Sequence, residues 1–145
     1  MQTIESLSQE IQEKISAYDE EFKDIFEVLE KVVYKSDLKL FTAIINELED
    51  INIQNHYGWT LLHITIRRDE KAMVELLLQK DADINKVDDV GWTPLMEAIM
   101  DDKTSLCKLL VDNGADKSIA NARGATAPML AQKFGRSSMY GYLSV

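Results

Sequence analysis

The sequence predicts an all-α protein made of stacked helix–turn–helix units, and three observations carry that prediction. A Gly-Trp-Thr triplet at Gly58–Thr60 returns at Gly91–Thr93, and Gly124 and Thr126 hold the same places around Ala125, so one turn is written three times at an interval of 33 residues. The apolar doublets Ile44-Ile45, Leu77-Leu78 and Leu110-Val111 keep the same interval. So do Asp50-Ile51-Asn52 with Asp83-Ile84-Asn85, and Ala82-Asp83 with Ala115-Asp116. A fixed period of this length marks supersecondary units that cannot bury their apolar faces alone and do so by stacking.

From the N-terminus, Ile4, Leu7, Ile11, Ile15, Tyr18, Phe22 and Ile25 step by three or four residues, with Glu5, Glu10, Glu13, Glu20 and Glu21 between them. That spacing predicts an amphipathic helix, with Ser16-Ala17 as the place where it would break. Residues 1–21 then have two readings. One is a cap over the open apolar end of the stack, and the other is a dimerisation or partner-binding helix, because Ile11, Tyr18, Ile25 and Val32 also lie seven apart. The cap is preferred because terminal units need a polar outer face to stay soluble.

Residues 22–145 carry the units. The first, 22–54, lacks the turn glycine and begins directly in helix, while Ser36-Asp37 and Asp50-Ile51-Asn52 keep it in register. Residues 55–87 and 88–120 are the full copies. In the second of these, Gly91 permits a turn closed to other residues, Thr93 suits an N-cap and Pro94 the first helical position. Leu95, Ala98 and Ile99 give one short helix its apolar stripe, and Asp101-Asp102-Lys103 breaks it. Leu106, Cys107, Leu109, Leu110 and Val111 make a second helix that Asn113-Gly114 stops. Residues 121–145 keep Gly124, Thr126 and Ala131 before Gly135 and end partway through their second helix.

Two short helices and an extended turn per 33 residues resemble the ankyrin-repeat family, whose G-x-T-P-L-H and A-D-I-N patterns are nearly whole in residues 55–87 and 88–120. Leu61 replaces the usual proline and Pro128 sits one place late. The resemblance implies an ankyrin-repeat solenoid with short β-turn fingers and an N-terminal capping helix. It also implies a structural His63, hydrogen-bonded to the neighbouring turn.

Composition narrows the function classes. At 145 residues with 46% hydrophobic content the chain is long enough for one domain with a real core. Its apolar runs are too short to span a bilayer, and acidic Glu5 without a basic n-region argues against a signal peptide, so no membrane partner is expected. One cysteine, Cys107, cannot form an internal disulfide, which favours an intracellular, cytoplasmic address. The net charge of −9 is spread as −5 over residues 1–21, −3 over 22–54, 0 over 55–87, −4 over 88–120 and +3 over 121–145. That balance opposes nucleic-acid binding, which needs a basic face. It suits either a protein partner with a basic patch or plain solubility.

Nothing in the sequence assembles a catalytic site. The only histidines, His56 and His63, lack a second ligand class at metal spacing. Cys107 stands where Val74 stands one repeat earlier and reads as a small buried hydrophobe. No phosphate loop, nucleophile elbow or dinucleotide fingerprint occurs, and the acid pairs Asp88-Asp89 and Asp101-Asp102 fall at turn tips. Neither an enzyme nor a cofactor is expected.

The resemblance implies instead that a protein binds along a concave surface of turn tips and first helices. Carried onto this chain, those positions are Tyr34 and Lys35, then His56, Tyr57, Trp59, Arg67 and Arg68, then Asp89, Val90, Trp92, Met100 and Asp101, and last Arg123, Lys133 and Phe134. The row is rich in the residue types of interface centres. Trp59 and Trp92 carry a second reading, since aromatic residues at this turn position also cover the adjacent turn in the family.

The expectation is a non-enzymatic binder, monomeric when free, that masks or inhibits one protein. Small size, acidity and the lack of catalytic groups resemble single-domain bacterial members of the family that act as immunity proteins against a cognate toxin. The alternative is a self-associating structural protein, or an adaptor or effector, that uses its N-terminal helix.

Overall fold

In the computed structural model, which describes residues 1–145, the chain is a two-row stack of short helices joined by fingers. A 3-10 turn, Ile4–Ser6, precedes α1, Gln9–Ser16. Four inner helices follow: α2, Ile25–Tyr34; α4, Leu61–Arg67; α6, Pro94–Met100; and α8, Ala127–Lys133. Each is paired with an outer element: α3, Leu38–Glu47; α5, Lys71–Gln79; α7, Thr104–Asp112; and a 3-10 turn, Ser137–Met139, running into α9, Tyr140–Leu143. Inner helices pack on inner helices, α2 on α4, α4 on α6 and α6 on α8, while α3 packs on α5 and α7 on α9. The 33 buried apolar residues form one continuous cluster, as a stack requires and as separate repeats would not. The expected β-turn fingers carry no sheet; the isolated antiparallel bridge Gln54–Thr60 is their β content.

Each unit starts and stops on local chemistry. The hydroxyls of Thr60 and Thr93 accept from the N–H groups of His63 and Met96, and Pro94 opens α6. The turn between the paired helices is left-handed at Ser36, Asp69, Asp102 and Gly135, again 33 residues apart. Short polar side chains tolerate that conformation better than branched ones, which explains why three of the four are not glycine.

The amphipathic N-terminal series breaks at Ser16-Ala17, where its break is expected, and helix does not resume until Ile25. α1 ends at Ser16, Asp19 is left-handed, and Asp24 caps a new helix by accepting from the N–H of Glu27. Tyr18 and Phe22 therefore lie on a connecting segment, packed edge to face at 6.4 Å, and Ile25 opens α2. Leu7, Ile11 and Ile15 are buried and α1 packs on α3. Burial of three such side chains stabilises by roughly 1.5–3 kcal/mol each. Of the seven-residue series that would support dimerisation, Ile11, Ile25 and Val32 are buried within the chain's own core.

Candidate interaction surface

The fingers are built on one carboxylate-or-amide position. Asn55 Oδ1 accepts from the N–H groups of Tyr57 and Trp59, each at 3.0 Å, Asp88 Oδ1 from those of Val90 and Trp92, and Asn121 Oδ1 from those of Arg123 and Ala125. Each finger then bonds the next: the N–H of Asp89 donates to the Tyr57 carbonyl at 3.1 Å, and that of Ala122 to the Val90 carbonyl at 3.0 Å. Gly58 and Gly91, at φ 78° and 80°, sit under those contacts, where a Cβ on Gly58 would meet Asp89 N at 2.7 Å and one on Gly91 would meet Asn121 Cα at 3.0 Å. Behind the fingers, Asn52 and Asn85 accept through Oδ1 from the N–H groups of Asp83 and Asp116, at 2.8 Å each. The finger tips are thus a rigid, regularly spaced row.

None of the fifteen row residues is buried. Tyr34, Lys35, His56, Tyr57, Arg68, Asp89, Val90, Arg123, Lys133 and Phe134 are exposed, whereas Trp59, Arg67, Trp92, Met100 and Asp101 are half-buried. Both tryptophans pack against the core at their inner edge, so neither stands free on the ridge. Thirteen of the fifteen form two groups, to which Asp89 and Asp101 do not belong.

In the first group, the rings of His56 and Tyr57 lie 4.0 Å apart and those of Tyr57 and Trp59 4.8 Å apart. The Arg67 guanidinium covers Trp59 at 4.1 Å and pairs with Glu97 at 2.6 Å. Arg68 lies 4.7 Å over Tyr34, whose ring also has Lys31 and Lys35 at 5.9 Å. Stacking fixes these long side chains in advance, which lowers the entropy lost when a partner binds.

The second group surrounds a groove of about 460 Å³ walled by Val90, Trp92, Met100, Arg123, Lys133 and Phe134, together with Asn121, Ala122, Ala125, Met129 and Leu130. Met129 is 54% exposed at the mouth. The signal for it is its place on α8, the first helix of the last repeat, which ends at Lys133 with Phe134 as its C-cap. A larger depression of about 560 Å³ lies elsewhere, between Met1, Gln2 and the loop at Leu48–Gln54, and takes in none of the fifteen.

Between the groups stands a pair of carboxyl groups. Burial first, then a hydrogen bond to Glu97 and the Glu97 charge, push Asp101 up to about 7, against the opposing pull of Arg67 and Lys103. Asp101 Oδ2 is buried without a partner among the other side chains. A proton held on Asp101 and donated to Glu97 accounts for both facts.

The remaining candidates are structural. His63 is fully buried; its Nδ1 accepts from the Thr60 N–H at 3.1 Å and its Nε2–H reaches the Trp92 carbonyl at 3.0 Å, as the resemblance implied. Cys107 is buried, and burial pushes its thiol up to about 11, far from the range of a reactive thiolate. No three of the chain's His, Cys, Asp or Glu side chains gather as a metal site would need, and no helix is long and apolar enough to cross a membrane. No sequence motif marks Arg136, whose guanidinium donates to the carbonyls of Ile99 and Met100, each at 2.8 Å, closing the C-terminus of α6.

A family model described as ankyrin repeats, in three copies, matches residues 29–121. No curated protein matches the chain.

Proposed function

The chain belongs to the ankyrin-repeat family, and from that membership we propose that it masks or inhibits one protein partner through the face built by its fingers and inner helices. The family is a non-catalytic protein-interaction scaffold, and protein–protein interaction is accordingly the class of function. The finer reading is a cytoplasmic, non-enzymatic inhibitor, monomeric when free, whose most specific form is an immunity protein that neutralises a cognate toxin. The single observation that carries it is the ordered row itself: stacked aromatic and guanidinium groups held in place before any partner arrives. Fold alone does not assign a role, so the weight rests on that row. A net charge of −9 would draw a partner with a basic patch from a distance, at a rate that falls with salt.

The test is affinity capture on the immobilised protein beside its Trp59→Ala/Trp92→Ala variant, followed by an assay of the captured protein's own activity with and without an equimolar amount of this chain. A protein retained by the parent, lost by the variant and silenced on binding supports masking. Equal retention by both removes the row from the reading. Light scattering on the free protein separates the rival, self-association through the N-terminal helix. A stable dimer would favour that rival, although Leu7, Ile11 and Ile15 are already spent on the chain's own core.

A further inference from the structure

The groove between the last two fingers has a chemistry of its own. Val90, Met129 and Phe134 converge on it at 52%, 54% and 42% exposure, an unusual concentration of uncovered large apolar side chains on one small surface. Its volume, about 460 Å³, suits one or two large side chains and falls in the range of ligand clefts. The two charged residues in its wall are both cationic, Arg123 and Lys133. Neither is among the chain's ion pairs, while Arg136 nearby is engaged with Asp102 and the end of α6. Residues 121–145 contain no Asp or Glu at all, in a chain whose net charge is −9. The polar group at the floor, Asn121, is already committed to its own finger.

We infer that this groove receives a segment of the partner protein in which a large apolar side chain is flanked by carboxylates. The inference rests on the reading of this face as the partner-binding face, and it names the chemistry of what sits at its C-terminal end. The apolar walls desolvate the anchor, and methionines at 100 and 129 adapt to its shape. Arg123 and Lys133 at the rim select acidic flanks over basic ones. Long-range attraction set by the whole chain and short-range selection at one groove have opposite signs here without conflict, because a partner surface can present both. A second copy of the chain is the less favoured occupant. Its acidic apolar segment, residues 1–21, has Leu7, Ile11 and Ile15 buried on α3 and would have to detach first.

The experiment titrates the protein, labelled at its methionine methyl groups, with a capped Glu-Glu-Leu-Phe-Glu-Glu hexapeptide and, separately, with its counterpart carrying lysine for each glutamate. Met100 and Met129 report the groove, and the buried Met73, Met96 and Met139 serve as internal controls. The expected result is a saturable shift of the Met100 and Met129 signals at roughly millimolar peptide or below, at least about tenfold weaker for the lysine peptide. Arg123→Glu/Lys133→Glu, both exposed positions, should erase or reverse the preference with the control signals unmoved. Silence of both reporters, equal response to the two peptides, or reporter shifts that follow protein concentration without peptide would each overturn the inference. The last result would hand the groove to a second copy. Because the peptides need no native partner, their failure leaves masking untouched, whereas capture indifferent to Trp59 and Trp92 removes masking through this row and says nothing of the peptides.

Discussion

His63 Nε2 stands 3.0 Å from the carbonyl oxygen of Trp92, so the first helix of one repeat holds the finger of the next. The other ring nitrogen accepts from the Thr60 N–H, which requires the neutral tautomer with its proton on Nε2. Burial lowers the pKa of His63 because a charged imidazolium would lose its hydration and turn an N–H toward another N–H. An unfolded chain takes up a proton as pH falls through 6.5, and the folded one does so only at a lower pH. Stability contributed by His63 is therefore present above pH 6.5 and lost as pH falls below it. Chemical shifts of the ring nitrogens are expected to show the Nε2–H tautomer persisting below that pH, and a ring that charges at 6.5 or above would break this account.

The three finger glycines are not equivalent. Gly58, Gly91 and Gly124 share a positive φ, but a Cβ on the first two strikes the next finger, and around Gly124 there is nothing within 4 Å. Strain alone costs on the order of 1–3 kcal/mol at such a position. Alanine at 124 should cost an amount within that range, and alanine at 58 or 91 visibly more, read from urea midpoints. Three equal losses would mean that finger packing contributes nothing and that φ is the whole requirement.

The contrast between these positions shows what the sequence could and could not disclose. Gly58, Gly91 and Gly124 repeat one residue type, so their period was legible, and Thr93-Pro94 announced a helix start in the same way. The left-handed turn at 36, 69, 102 and 135 has the same period but is filled by Ser, Asp, Asp and Gly, and the finger anchor at 55, 88 and 121 by Asn, Asp and Asn. A position that asks only for a short polar side chain leaves no single-letter trace. The apolar series from Ile4 to Ile25 breaks where Ser16-Ala17 marked it, but the non-helical stretch up to Asp24 left no trace in that spacing for a related reason. The apolar spacing is real, since Leu7, Ile11, Ile15 and Ile25 are all buried, yet burial on one face does not require one helix. The row's positions, and that none of them is buried, follow from register alone. Its division into a stacked ridge and a groove does not, because Arg67 reaching Glu97, or Met129 facing Phe134 and Val90, is long-range geometry.

Asp101 should impose a pH dependence opposite to that of His63. With its carboxyl at about 7 in the fold and 3.8 as the ordinary value, the folded chain binds a proton that the unfolded chain releases as pH rises between them. Its contribution to stability is greatest below 3.8 and is lost as pH climbs towards 7. Asp101→Asn mimics the protonated acid, so the variant should gain on the parent steadily from pH 4 to 7.5 in thermal melts. A stability difference that stays flat over that range would show Asp101 ionised throughout, and the shared proton with Glu97 would have to be given up.

Trp59 and Trp92 carry the decisive test of the surface, because both touch the core and both border the proposed contact. As packing residues, half-buried, each should lose about 1–2 kcal/mol of folding stability on truncation to alanine. As interface anchors, each should lose about 2 kcal/mol or more of binding free energy, and the two need not add. The structure makes the roles separable. Trp59 is covered by Arg67, which also pairs with Glu97, and Trp92 forms a wall of the groove. Titration of the captured partner against each single variant, at a temperature where melts show both fully folded, reads the binding part alone. Arg68→Glu, exposed beside Tyr34, is the companion variant: it should change the salt dependence of association with little effect on the melt. If both tryptophan variants bind the partner as the parent does while melting earlier, the rings are packing alone. The contact would then have to lie off this face, where the acidic N-terminal segment is the next surface to vary.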